Sequence, residues 1–451
     1  MAKRIAIIGA GPAGMAAAYF AAEGGAEVDL YDKNPVIGKK YVYVPWEGCE
    51  LTHEGNTEDF MENYARGAEF LTYSLDKFTS KDAVKLLKKL GVKVTTNEDG
   101  VIIPTNGDTQ ELKKAFEEKL QELNVNLCVS SKVQEILADG RKITGIKVHN
   151  KEVKYDKVII ATGGAARPKL GASDDGYEFA KEFGHSITKP LPAISEVETN
   201  EKLGKFLSGL EVSSVAVSVY RNKHKHLERN GKILFTDHGL MGDAILFLSG
   251  IISRLSENNK VEISIDFVPL KSKEMIDRDL VAKSSLNSSH LVGDILKEYL
   301  DPRLLPVMTR FYRIQETKPM SHITNLERKS LVLFLKDFRV TVKRVKPFFA
   351  AFYTSGGVDV EEINPKTMES KLVKGLYFCG EVLDVDGGPG GYNMHSAFAT
   401  GYTAGKAVSR GAKTKKAKKK SSASKKAAKK SDKGDQQEAE EVDDQSSIKV
   451  A

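Results

Sequence analysis

The sequence predicts an α/β protein whose main domain is built from residues near both ends and is interrupted by a β-rich unit and a small helical one. The first observation is the start: apolar Ile5-Ala6-Ile7-Ile8, then Gly9-Ala10-Gly11-Pro12-Ala13-Gly14, then an Ala-rich stretch ending near Glu23-Gly24-Gly25. The second is a further strand-like run, Glu27-Val28-Asp29-Leu30-Tyr31, which delivers Asp32 at its end. The third lies far downstream: apolar Gly375–Cys379, a turn at Gly380-Glu381, more glycines, and a helix running through Phe398 to Ala407. Together they describe a Rossmann-like dinucleotide-binding fold that the chain leaves and re-enters.

Each residue of the first motif has a physical reason. Gly9 lets the chain turn off the strand, Gly11 lets a pyrophosphate approach the backbone, and Gly14 lets the helix pack closely on the sheet. The helix N-terminus supplies N–H groups and a positive dipole end. Asp32 stands where a carboxylate can accept hydrogen bonds from a ribose 2′-hydroxyl. A lone GxGxxG is a weak signal; between two strand-like runs, with an acid at this distance, it is a strong one.

Further along, helices are expected at Lys81–Leu90 and after a capping box from Asp108 to Glu111. The second carries apolar Leu112, Ala115, Phe116, Leu120 and Leu123 at helical spacing. Strands follow at Leu127–Ser130, Ile143–His149 and Lys157–Ile160, the last running into Ala161-Thr162-Gly163-Gly164. Beyond about Pro190 short alternating segments (Val212–Tyr220, Lys232–Phe235, Val261–Phe267) suggest a β-rich unit, and Lys273–Phe338 suggests helices. The expected organisation is a discontinuous nucleotide-binding domain at 1–190 and 345–410, a β-rich substrate-side domain at 191–270, a helical insertion at 271–344 and a tail at 411–451.

Composition sets limits. A chain of 451 residues suffices for two or three domains. No apolar run approaches the ~20 residues of a membrane span, and the N-terminal apolar run reads as the first strand and not as a signal peptide. Cys49, Cys128 and Cys379 have no disulfide-framework spacing, and no Cys/His cluster has zinc spacing, so no metal is expected and a cytoplasmic setting is. The net charge is +7, but residues 411–451 hold 12 Lys against 7 Asp and Glu, which contributes +5 and leaves +2 to the body. This tail is Lys/Ala/Ser-rich to Lys433, then acidic to Asp444, without an aromatic residue, and is expected to be disordered. It reads either as a holder of polyanions such as RNA, by phosphate contacts, or as a solubilising tail.

The segment Leu376–Gly387 decides between NAD and FAD. Many flavoproteins place a strand and then Gly-Asp or Gly-Glu near the chain end, where the acid accepts hydrogen bonds from the ribityl chain. Glu381 is that acid here, and Gly390-Gly391-Tyr392-Asn393 opens a helix aimed at the flavin ring, whose dipole would stabilise charge on the reduced ring. No second GxGxxG exists for a dedicated NAD(P)H domain. NAD(P)H therefore enters as a transient reductant, or oxygen as the oxidant of an amine-oxidase reaction.

At these residues the chain resembles the BaiN/RdsA-type flavoproteins, also described as aminoacetone-oxidase-like FAD-binding proteins. The resemblance spans most of residues 3–408 and is carried by Gly9–Gly14, Gly38-Lys39-Lys40, Cys49, Leu51-Thr52, Ala161–Gly164, Pro168 with Gly171, and Asp175-Gly176. Gly356-Gly357-Val358, Asn364–Ser370, Gly380–Gly387 and Gly390–Asn393 complete it. It implies an FAD domain with β-rich and helical insertions. Activities proposed in the family are reduction of C=C bonds in steroid-type acids, reduction of uracil in ribosomal RNA, and amine oxidation. Expected cofactor contacts are Gly9, Ala10, Gly11, Pro12, Ala13, Gly14, Asp32, Lys33, Lys40, Val133, Ala161, Thr162, Gly163, Gly380, Glu381, Gly391, Tyr392 and Asn393.

The departures lie on one side. A Gly-Gly-Gly-Arg-Cys-Asn loop is replaced by Pro45-Trp46-Glu47-Gly48-Cys49-Glu50, and Thr-His-x-Gly-Ile-Ser-Gly-Pro by Thr236–Asp243. Asp-Cys-Gly-Gly-Tyr-Asn-Leu-Gln-Trp is replaced by Gly388–Ser396. The flavin-cradling glycines survive while the substrate-facing loops differ, which points to a divergent small-molecule substrate or to a flavin-binding relic. Reduction of a C=C bond needs a protein acid to protonate one carbon. Cys49, Tyr392 and His395 are the candidate catalytic residues, with His238 behind them. A buried inert thiol is the plainer reading of Cys49, and packing competes for both histidines. Trp46 reads as a stacking or anchoring residue, and Arg167-Pro168-Lys169 as an anion contact or a solvated turn. The expectation is an FAD-dependent oxidoreductase moving hydride between flavin and a conjugated or amine-bearing substrate. The alternatives are uracil reduction in ribosomal RNA and a non-catalytic RNA-associated flavin-binding protein.

Overall fold

The computed structural model describes residues 3–42, 50–286 and 290–411. The expectations for Trp46, Cys49 and the tail beyond residue 411 lie outside the described residues.

A five-stranded sheet organises the main domain, in the order Leu376–Phe378, Lys157–Ile160, Arg4–Ile8, Glu27–Tyr31, Asn126–Cys128, with every pair parallel. Ile5 to Ile8 and Val158 to Ile160 are all buried, the near-continuous apolar signature of a parallel sheet covered on both faces. Helix Pro12–Glu23 starts with Pro at its first turn, where the missing N–H costs nothing, and packs against the C-terminal helix Tyr392–Ser409. Small residues make that seam close: a Cβ on Gly401 would lie 2.5 Å from the Ala13 carbonyl, and one on Gly405 2.6 Å from that of Ala17. The two ends of the chain are thereby fastened over the same sheet.

Beside the sheet lies an antiparallel meander of Val133–Asp139, Lys142–Val148 and Lys151–Lys154. Paired strands Ile187–Ala193 and Tyr353–Val358 carry the chain out of the main domain and back. Between them a closed six-stranded barrel runs in the order Val197–Thr199, Gly239–Met241, His224–Phe235, Glu211–Arg221, Val261–Asp266, Phe338–Val345. Helices from Lys273–Leu286 to Asn325–Lys336 are inserted before its last strand. Their Leu280, Leu296 and Phe334 share one apolar cluster with Ile263, Ile265 and Phe338 of the barrel.

Two expectations need correction. Residues 338–344, grouped with the helical insertion, form the strand that closes the barrel by pairing with both Val261–Asp266 and Val197–Thr199. Their alternation of Phe338, Val340 and Val342 is a strand pattern whose partners lie far away in sequence. Asp108 does cap its helix, but by accepting from Gln110 N at 2.7 Å. Among the described residues, reciprocal capping boxes stand at Asn56/Asp59, Thr79/Asp82 and Thr324/Glu327. Among the described residues no helix is long and apolar enough to cross a membrane.

Candidate cofactor and substrate site

Ile8, Tyr31 and Ala161, at the carboxyl ends of three parallel strands, border one cleft together with Glu381, which follows a fourth. This is the ligand position general to open α/β sheets. The cleft together with its open mouth encloses about 1330 Å³ of empty space.

The three fingerprint glycines divide their work. Gly9 has φ +105°, and a Cβ there would stand 2.3 Å from the Ala161 carbonyl oxygen; one on Gly14 would stand 1.8 Å from the Gly9 carbonyl oxygen. Both serve close packing. A Cβ on Gly11 would meet nothing within 4 Å, because it would project into open space beside the cleft. That opening, at the N-terminus of helix Pro12–Glu23, is the cradle a pyrophosphate requires, so the residues fit a dinucleotide. Asp32 fixes the turn: its Oδ2 accepts from Ala10 N at 2.9 Å, and its Oδ1 from Asn34 N at 2.8 Å and Asn34 Nδ2 at 2.9 Å. A carboxylate offers about four acceptor sites, which leaves capacity for one ribose hydroxyl.

Cations also line the cleft. Lys33 Nζ donates to Ser173 Oγ and to Asp175 Oδ2 at 3.0 Å, and Lys132 Nζ reaches Asp175 Oδ1 at 3.0 Å. Burial pushes Asp175 up, but hydrogen bonds from Ser173, Lys132 and Lys33 outweigh it and hold its carboxyl at about 2. Lys40 Nζ contacts both oxygens of Glu381, at 3.0 and 2.7 Å. The two glycine turns also meet, since a Cβ on Gly380 would lie 2.5 Å from Ala13 Cβ.

At the third corner, Asn393 lines the cleft and is held by Gly387, accepting from its N at 3.0 Å and donating to its O at 2.6 Å. Just before it, Gly390 N and Gly391 N both donate to Glu50 Oε2 at 2.8 Å. The side chain of Tyr392 turns away from the cleft: its ring stacks on His53 at 4.9 Å between centroids, and burial pushes its hydroxyl up to about 12.

Most expected cofactor contacts come together here: Gly9, Gly11, Pro12, Ala13, Asp32, Lys33, Lys40, Val133, Ala161, Thr162, Gly163, Glu381 and Asn393 all line the cleft. Ala10, Gly14, Gly380, Gly391 and Tyr392 do not. Their jobs are internal; Gly380 N, for instance, donates to Thr400 Oγ1 at 3.0 Å. His395 is a correction. It is buried, its Nδ1 lies 2.9 Å from Thr52 Oγ1 and its Nε2 lies 3.0 Å from the Phe78 carbonyl. The carbonyl can only accept, so Nε2 carries the proton and Nδ1 accepts from Thr52. Burial lowers its pKa to about 4, and with both nitrogens engaged away from the cleft it has no proton to deliver there. His238 is exposed on a barrel loop, and the Arg167 guanidinium lies 4.4 Å over the Phe352 ring. Sequence reasoning assigned no site role to Tyr353, Asp175, Asn34 or Glu50. Asn34, two residues beyond Asp32, carries the familiar spacing of a side chain folding back on its own turn; the others are joined to the site only by tertiary contact.

A parallel sheet with a glycine fingerprint at one end, an acid-bearing glycine turn at the other and one large cleft between them defines a Rossmann-fold, FAD-dependent oxidoreductase. The chain belongs to the HI0933-like Rossmann domain family, which matches residues 3–407. It is similar to a 3-dehydro-bile acid delta(4,6)-reductase of Clostridium scindens, 26% identical over 410 residues, covering 90% of this chain and 99% of that one. It is also similar to a ribosomal RNA dihydrouridine synthase of Haemophilus influenzae, 27% identical over 408 residues, covering 90% and 98%. Among solved structures it aligns with a 3-ketosteroid-delta4-(5alpha)-dehydrogenase from Rhodococcus jostii RHA1 at 14% identity and TM-score 0.48, covering 90% of this chain and 97% of that one.

Proposed function

We propose that this protein reduces a carbon–carbon double bond conjugated to a carbonyl in a small molecule, with NADH or NADPH as the transient reductant, in the cytoplasm. Bound FAD supplies the hydride chemistry; the chain's residues bind and orient it. The observation that carries the reading is the single cleft on which Gly11, Asp32, Lys40 and Glu381 converge, since one dinucleotide spanning it is bound from both ends of the chain. Asp32 and the Gly11 opening suit the adenosine and pyrophosphate end, Glu381 the ribityl hydroxyls, and Asn393 the ring end. The two relatives, a 3-dehydro-bile acid delta(4,6)-reductase and a ribosomal RNA dihydrouridine synthase, support the reaction type.

Anaerobic stopped-flow spectroscopy tests it. NADH or NADPH should bleach the bound flavin, and a conjugated enone should restore its colour without oxygen. A flavin that neither donor reduces would remove the reductase reading, and reduction by an amine substrate instead would favour an oxidase.

A second reading has its own support. The 12 Lys of residues 411–451 and the similarity to a ribosomal RNA dihydrouridine synthase favour uracil in RNA as the conjugated substrate. Removing residues 412–451 should then weaken RNA binding in a salt-dependent manner, whereas unchanged binding would count against it.

A further inference from the structure

We propose that Glu50 sets the reduction potential of the bound flavin, by placing a fixed negative charge on the helix end that would otherwise stabilise the reduced ring. This rests on the FAD reading above. Helix Tyr392–Ser409 has 18 residues, and its N-terminus carries the positive end of a macrodipole of roughly half an elementary charge. Its first turn borders the cleft through Asn393 and Met394. The N–H groups that lead into that turn, on Gly390 and Gly391, are both taken by Glu50 Oε2 at 2.8 Å. A carboxylate receiving two backbone N–H donors at that distance is held by charge-assisted hydrogen bonds. The left-handed backbone of both glycines (φ +103° and +86°) turns the two N–H groups onto one oxygen.

The electrostatic consequence has a definite sign. A bare helix N-terminus favours negative charge beside it, and two-electron reduction of a flavin adds negative charge to its ring system. With Glu50 seated, a carboxylate charge stands just ahead of a helix end worth roughly half a positive charge, and the sum of the two is negative. Oxidised flavin is favoured over reduced flavin, and the bound cofactor becomes a stronger hydride donor. Of the cations bordering the cleft, Lys40 hydrogen-bonds both oxygens of Glu381, and Lys33 and Lys132 pair with Asp175, so these three are already engaged with other carboxylates. Glu50 acts through the helix end and is a positioning residue.

The test is spectroelectrochemical titration of the flavin in the holoprotein, wild type against Glu50→Gln and Glu50→Asp. Glu50→Gln keeps a hydrogen-bonding side chain and removes the charge. It should raise the ratio of reduced to oxidised flavin at least tenfold at a fixed potential, a positive shift of about 30 mV for a two-electron couple. Glu50→Asp, which keeps the charge, should stay within threefold of wild type. A midpoint unchanged in Glu50→Gln overturns the proposal, as does an equal shift in both variants, which would mark a packing effect. Wild type supplies an independent reading that no folding defect can confuse. Sulfite adds to flavins whose surroundings stabilise negative charge, so wild-type holoprotein should resist bleaching by millimolar sulfite, and ready bleaching contradicts the proposal. Wild-type protein that fails to take up FAD at all is a different result, which removes the cofactor reading and this proposal with it.

Discussion

Gly11 and Gly14 stand three residues apart in one motif, yet alanine should do opposite things at the two positions. At Gly11 the backbone is extended (φ −78°, ψ −178°), a conformation any residue adopts, and the new Cβ would enter open space. The apo protein should therefore be as stable as wild type, or more stable by about 0.4–1 kcal/mol through reduced unfolded-chain entropy. The methyl group would fill the cradle and hold a pyrophosphate away from the N–H groups. A loss of about 1–3 kcal/mol, the usual cost of overpacking a fitted contact, corresponds to roughly 5- to 150-fold weaker FAD binding. At Gly14 the Cβ would lie 1.8 Å from the Gly9 carbonyl oxygen, a backbone atom that cannot swing aside. The propensity gain of about 1 kcal/mol from placing Ala in a helix cannot offset that clash. Gly14→Ala should unfold at a clearly lower temperature even without cofactor. Thermal unfolding of the apo forms and fluorescence titration with FAD give both quantities. Wild-type affinity in Gly11→Ala, or wild-type stability in Gly14→Ala, would refute the division of roles.

Two buried groups predict pH effects of opposite sign. His395 has a folded pKa of about 4 against 6.5 when free, so between those values the unfolded chain binds a proton the folded one lacks. Stability is thus lost as pH falls from 6.5 toward 4, by about 3 kcal/mol at 1.36 kcal/mol per pKa unit. His395→Gln, which can keep one donor and one acceptor, should flatten that part of the urea-unfolding profile, and an unchanged slope would speak against it. Asp386 is buried with Oδ2 unpartnered, and burial raises its pKa to about 6 from 3.8. There the folded state binds the proton first, so stability grows as pH falls through that window. Asp386→Asn should gain about 2 kcal/mol relative to wild type on going from pH 4 to pH 7; equal effects at both pH values would show that Asp386 stays charged.

The first strand, its glycine turn, the next strand and the terminal strand-turn-helix are legible because each is a short contiguous pattern with a fixed period and a steric reason for its glycines. The barrel's closure is not. Val197–Thr199 and Gly239–Met241 are three residues each, and both owe their place to distant partners. The site divides the same way. Gly11 and Asp32 follow from local spacing, whereas the Lys40–Glu381 pair joins residues 341 positions apart. His395 misleads for a related reason: one turn into a helix aimed at the cleft it suggests chemistry, and only the positions of Thr52 and Phe78 reveal that both its nitrogens are spoken for.

The most direct measurement of the central claim is mass spectrometry of the small molecule freed by denaturing the purified native protein. One FAD per chain, with a smaller share retained by a Gly11→Ala variant that still folds, is the predicted result. Protein that emerges colourless and leaves added FAD unbound would contradict the account.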